Sequence, residues 1–424
     1  MNAAFVSMLM AIAQTQPVSR TTPDATVRGA YLARAGDCVG CHTARGGQPF
    51  AGGLSIGTPI GRVISTNITP DLDTGIGRYR LDEFVKVMRE GVAKDGHRLY
   101  PAMPYPSYAK LSQADLLALY AYFMEGVEPV RQPNRPTKLT WPLSMRSLMV
   151  VWNALYLKKG EYAVDSAQSL SWNRGAYLVQ GLGHCGACHT PRGIAGQEKA
   201  GRHFLAGAIL DNWQASPLTG DRETGLQAWS KEEIVEFLKT GRTARVAALA
   251  VMGGVISKST QYLTDQDLLA MAEYLKSLPP SHPGGRAVAD STPPSSDSSA
   301  ATRALRAGDT GQRGSRVYLD NCNACHRSDG SGASRTFPNL AKNEAVIAKD
   351  PISLIHIVLS GSSTPQTQTV PTAFAMPAFG ERLSDDEVAE VLTFIRENWG
   401  NHAAEVSRHK VGRVRKALAK EKAD

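Results

Sequence analysis

Cysteine is scarce in this sequence. Six occur in 424 residues, and none stands outside three Cys-x-x-Cys pairs. No pair has a second one close by to complete a four-ligand zinc site. Disulfide bonding, the ordinary use of paired cysteines in an exported protein, leaves unexplained why His follows every pair. Long hydrophobic runs are also missing. No stretch reaches the ~18 uncharged apolar residues of a transmembrane helix, so membrane contact is expected to be peripheral. The formal net charge is +8, but no run of five or more basic residues is interleaved with aromatics, and no nucleic-acid partner is expected. Ser-His-Asp arrangements, Gly-rich phosphate loops and paired-carboxylate motifs do not stand out. Strand-like alternation of useful length is lacking, which points to an all-α fold.

What is there begins with a motif. Cys38-Val39-Gly40-Cys41-His42 recurs as Cys185-Gly186-Ala187-Cys188-His189 and as Cys322-Asn323-Ala324-Cys325-His326. Cys-x-x-Cys-His is the attachment signature of c-type haem. Its thiols form thioethers with the haem vinyl groups, and its His supplies an axial imidazole to the iron. The sequence therefore predicts three covalently bound haem c groups on Cys38, Cys41, Cys185, Cys188, Cys322 and Cys325.

The repeat is longer than the motif. Arg28-Gly29-Ala30-Tyr31-Leu32 precedes the first copy, Arg174-Gly175-Ala176-Tyr177-Leu178 the second, and Gly314-Ser315-Arg316-Val317-Tyr318-Leu319 the third. Each module closes on an amphipathic helix announced by Ser112, Thr264 or Ser384 at the N-cap with an acid three residues later. Self-similarity at about 145 residues means three homologous modules. The expected organisation is three tandem haem domains joined by linkers, at 20–130, 172–279 and 314–400. Residues 131–171 form a linker with an apolar helix. Its Leu148, Val151, Trp152 and Leu155 share one stripe, suited to burial between the first two domains or to docking on a partner subunit or membrane. Residues 280–313 are rich in Ser, Pro, Ala and Gly and read as a flexible linker that leaves the third module tethered. Residues 401–424 form a basic tail, expected as a solvated or membrane-binding helix. Residues 1–13 resemble a signal peptide, apolar to Met10 with Ala11-Ile12-Ala13 as a cleavage pattern, although no Lys or Arg precedes Arg20. Since bacterial haem attachment of this kind occurs outside the cytoplasmic membrane, the mature chain is expected in the periplasm.

His42, His189 and His326 are the expected proximal ligands. Met is the sixth ligand that raises potential and closes the iron to substrate. Met103, in Tyr100-Pro101-Ala102-Met103-Pro104, and Met376, in Phe374-Ala375-Met376-Pro377, each stand beside proline shortly before a closing helix. Core methionines ordinarily lie on helical stripes instead. Met252 takes the corresponding place in module two, while Met271 falls on a core stripe. The remaining histidines, His97 among them, follow no shared position. With all iron positions filled, electron transfer is expected rather than chemistry on a substrate.

These residues resemble the tri-haem cytochrome c subunits of bacterial membrane-associated dehydrogenases. The likeness is carried by Arg28 to His42, Ser65-Thr66-Asn67-Ile68-Thr69-Pro70-Asp71, Leu99 to Tyr108, Leu119 to Phe123, Arg174 to His189 and Met376-Pro377. Pro217 departs from it, where Asn is expected by analogy with Asn67. The resemblance implies a large PQQ- or FAD-dependent dehydrogenase subunit as partner, with or without a small one. It also implies electron delivery to ubiquinone from the outer face of the cytoplasmic membrane, and no substrate-oxidising site in this chain. Two alternatives stay open: a stand-alone periplasmic carrier serving a terminal oxidase or reductase, and a multi-haem peroxidase.

Overall fold

In a computed structural model of the chain, the structure describes residues 23–222, 224–282 and 299–423. The expected signal segment and most of the Ser/Pro stretch lie outside the described residues.

Each module is built from the same four helices. A leading helix (Pro23–Ala35, Leu170–Gln180, Ser315–Asn321) runs to a one-turn helix at the haem motif (Cys38–Cys41, Gly186–His189, Asn323–His326). A middle helix follows (Leu81–Glu90, Lys231–Thr240, Ile352–Ser360), then the closing helix (Gln113–Ala121, Asp265–Ser277, Asp385–Glu397). The closing helices start as their caps require. Ser112, Thr264 and Ser384 accept from the backbone N–H of Asp115, Asp267 and Glu387 at 3.2, 3.1 and 3.2 Å, each satisfying one otherwise unpaired N–H.

Leading and closing helices cross at glycine. A Cβ on Gly29, Gly175 or Gly314 would collide with the carbonyl oxygen of Ala118, Ala270 or Glu390, each the sixth residue after its cap. Only a residue without a side chain lets the backbones approach this closely. Beside the crossing, Arg28 reaches Asp115 and Arg174 forms a bidentate pair with Asp267 at 2.8 Å, while Arg313 pairs with Glu390 at 2.9 Å.

Helices dominate, but all-α is too strict. Among the described residues there are three small antiparallel sheets: Ser55–Thr58 with Gly61–Ile64 and Lys138–Leu139; Ala208–Leu210 with Trp213–Ala215; and Ser362–Ser363 with Ala375–Met376. Strands of two to four residues are too short to show period-two alternation.

The modules are not beads on a string. One continuous apolar core runs through the first two domains, from Leu32 and Phe50 to Leu182, Leu268 and Leu275. The third has its own core around Tyr318, Val388 and Phe394, yet it is docked as well as tethered. Trp213 stacks on His356 with centroids 4.0 Å apart, Trp229 Nε1 donates to Glu344 at 2.9 Å, and Arg335 pairs with Glu236 at 2.6 Å.

Three linker expectations also change. Ala300–Arg306 is helical, capped by Ser299, and it buries Ala301 and Leu305 in the third core. Strong helix formers there were hidden by the averaged composition of the segment. The basic tail folds as Arg408–Ala423 and buries Val411 and Val414 in that same core, so it is docked rather than free in solvent. In the apolar helix Leu148–Tyr156 only Trp152 is buried. It lies on the surface of the first two domains and is not enclosed between them.

Candidate functional site

Each haem motif holds its histidine in the same two ways. The Nδ1 atoms of His42, His189 and His326 lie 2.7, 2.7 and 3.0 Å from the carbonyl oxygens of Thr66, Ser216 and Pro338. A carbonyl only accepts, so Nδ1 carries the proton and Nε2 keeps its lone pair for a metal. Such a bond fixes the tautomer and the ring orientation. The backbone is pinned too, since the carbonyls of the three histidines accept from Gly52, Gly207 and Gly332. These glycines have φ of 75°, 81° and 62°, in the left-handed region that favours glycine. Burial holds all three imidazoles below the usual histidine pKa, with the carbonyl bond opposing it. The neutral ring, the form that ligates iron, is thereby favoured.

None of the six cysteines is joined to another in a disulfide. Burial pushes the Cys38, Cys185 and Cys322 thiols up to about 12. Among the described residues, no group of three or more His, Cys, Asp or Glu side chains is placed to hold a metal ion by itself. Paired thiols one helical turn apart with an oriented neutral imidazole fit covalently attached haem c and do not fit a closed zinc site.

The first two motifs approach one another through side chains of the shared core. Tyr108, whose hydroxyl donates to Gly36 O at 3.2 Å, sets its ring edge-on to His184 at 5.8 Å. His184 thus belongs to the contact between the two motifs, a role no repeat position disclosed.

The methionines differ more than their histidines do. Met103 is partly buried between Tyr100, whose carbonyl accepts its N–H at 3.1 Å, and Pro104, which opens the short helix Tyr105–Tyr108. Met376 lies in a strand pairing with Ser362 and packs on the third core. Met252 stands in the first turn of the helix Ala250–Lys258 rather than in a loop, packed against the shared core. Met271 is buried in the closing helix, as its stripe position predicts. His97 bonds Asp95 at 2.5 Å near the surface.

The departure at Pro217 has a local compensation. Asn67 is fully buried, accepting from Thr69 N at 2.9 Å and donating to Thr74 Oγ1 and Val130 O, so it clamps the strap that leaves the first domain. In the second domain Asp221 does this work, accepting from Ser281 N and Oγ and from His282 N. Burial alone would raise the Asp221 carboxyl, but bonds from Ser281 and Thr219 outweigh it and hold it below the usual range. The carbonyls of Thr66, Ser216 and Pro338 carry no side-chain signal. The only local trace of this cradle was the pair Phe50-Ala51-Gly52 and Leu205-Ala206-Gly207.

The cytochrome c family model matches three stretches, residues 26–126, 173–279 and 311–399. The gluconate 2-dehydrogenase cytochrome c subunit of Pantoea cypripedii is 51% identical over 92% of this chain and 89% of its own length. The cytochrome c subunit of the quinone alcohol dehydrogenase of Gluconobacter oxydans is 48% identical over 89% and 79%. The fructose dehydrogenase cytochrome subunit of Gluconobacter japonicus is 38% identical over 94% and 84%.

Proposed function

The chain belongs to the cytochrome c family, and we propose that it is the electron-transfer subunit of a membrane-bound dehydrogenase complex, carrying electrons from a substrate-oxidising subunit to ubiquinone. Three haem c groups, one per domain, supply the one-electron redox chemistry. The chain's part is to attach them, orient them and keep their spacing. His42, His189 and His326 would ligate the irons, with Met103, Met252 and Met376 as the second protein ligands. The relatives named as subunits of gluconate, alcohol and fructose dehydrogenases support a large PQQ- or FAD-dependent partner, with or without a small subunit.

One observation carries the reading. The first two attachment motifs approach across a shared core, and the third domain is docked on the second by side-chain contacts, so the three attachment motifs are held in one body. A peroxidase would need an open iron, and each module offers a methionine to close it. No described helix is long and apolar enough to cross a membrane. Periplasmic residence with peripheral attachment follows from where haem c is attached and from the membrane setting of the proposed complex.

The test is purification from membranes with the companion subunit identified by mass, followed by addition of that subunit's substrate. All three haems should become reduced and reoxidise on adding a ubiquinone analogue. A chain that leaves membranes without detergent, purifies alone and stays oxidised would overturn the proposal.

A further inference from the structure

Six large hydrophobic side chains are exposed within one short span of the first linker: Trp141, Leu143, Met145, Val150, Val151 and Leu155. Exposed apolar residues scattered singly are ordinary, but a contiguous group marks a binding face. A surface helix normally turns its polar side outward. Leu148–Tyr156 instead turns Val150, Val151, Ala154 and Leu155 outward, and it seats Trp152 and Asn153 on the protein. Asn153 accepts from Tyr105 Oη at 2.6 Å and donates to Glu90 O at 2.9 Å, and Trp152 Nε1 donates to Ala195 O at 2.9 Å. Arg146 bonds Arg98 O at 2.7 Å and lies over the Tyr100 ring. The helix is thus firmly held, and its apolar outer face is a property of the folded protein.

Charge indicates the occupant. Between Pro129 and Gly160 there are six basic residues and no acidic one. Lys138 stands exposed before the apolar surface, and Lys158 and Lys159 stand exposed after it. Apolar side chains bounded by cations, with a tryptophan at the margin, match a membrane interface. There the apolar face enters the acyl boundary and the cations meet anionic headgroups. The basic C-terminal helix is less suited to this role. Val411 and Val414 face the third core, and Lys410, Arg415 and Arg408 already pair with Asp350, Asp385 and Asp386.

We propose that this face docks the protein on an anionic phospholipid bilayer. The proposal rests on the peripheral attachment put forward above and names the surface that makes it. It also assigns a side. The helix and its leading turn sit on Arg98, Tyr100 and Tyr105 of the first domain and on Ala195 of the second, so these two domains, and not the third, are held beside the bilayer and its quinone.

Sedimentation of the haem-loaded chain with vesicles of phosphatidylglycerol and phosphatidylcholine, or of phosphatidylcholine alone, tests this. Wild type should bind the anionic vesicles and release them at high salt. Val151→Asp with Leu155→Asp should weaken binding by about tenfold or more, and Lys158→Gln with Lys159→Gln should weaken it several-fold, both with unchanged haem content and spectrum. Val151→Ser with Leu155→Ser serves if the first pair disturbs folding. Full vesicle binding by the apolar variants would place the contact elsewhere and overturn this inference while leaving peripheral attachment standing. Absence of vesicle binding by wild type would instead overturn peripheral attachment itself. Variants that keep vesicles but lose the companion subunit would make this face a protein interface.

Discussion

Tyr31 of the first domain donates its hydroxyl to Asp267 of the second at 2.6 Å. The reciprocal bond, Tyr177 to Asp115, is also 2.6 Å. Each acceptor is the third residue of a closing helix and already holds the arginine of its own module, so two related domains are locked by an exchange of equivalent bonds. The backbone N–H groups of Thr264 and Ser112 add to it by donating to the same two hydroxyls.

Removing those hydroxyls tests the lock. Tyr31→Phe and Tyr177→Phe should each cost about 1.5–3 kcal/mol, the range for a hydrogen bond to a charged acceptor. The double variant should lower the melting temperature of the first two domains together, with haem content unchanged. A melting curve indistinguishable from wild type would remove these bonds from the account of the interface.

Arg242 is buried and donates to the carbonyls of Thr372 and Pro365, with its guanidinium 5.0 Å from the Phe374 ring. It thereby pins the segment that leads to Met376. Arg242→Met keeps the stem and removes the donors, and should weaken docking of the third domain by about 2 kcal/mol. Calorimetry should then show the third domain melting as a separate transition, and one of the three haem midpoint potentials should move.

Glu344 meets Trp229, Arg245 and Glu233 of the second domain at the same interface. Burial raises its carboxyl to about 7, against the indole bond and Arg245 and with Glu233 adding to the rise. A raised folded pKa means that its contribution is fully present below the unfolded value near 4.3 and is lost as pH climbs through about 7. The third domain should melt at a higher temperature at pH 5 than at pH 8. Glu344→Gln should flatten that difference, and a difference that persists in the variant would assign it to another group.

Met103→Ala, Met252→Ala and Met376→Ala should each open one haem of three, giving cyanide binding to a third of the haem and a lower potential for that component. An unchanged spectrum in any one variant rejects that methionine as a ligand. Met252 is the sharpest case, because it stands in a helix where its counterparts stand in a loop and a strand.

The sequence by itself determined the haem count, the three Cys-x-x-Cys-His motifs, the capped closing helices and the threefold repeat. All of these are local: a five-residue motif, a cap with its acid, or a stripe at helical spacing carries its meaning wherever the chain goes. Only the tertiary structure decided how the modules meet. Tyr31 and Asp267 lie 236 residues apart, and neither has neighbours that announce the other. The two-residue strands were illegible because pairing, not alternation, makes them strands. The helix at Ala300–Arg306 was averaged away by its surroundings. For Leu148–Tyr156, periodicity identified an apolar helix, but a stripe does not say which side will find a partner. That was settled by Trp152 and Asn153 reaching Ala195, Tyr105 and Glu90, which left Val151 and Leu155 facing outward.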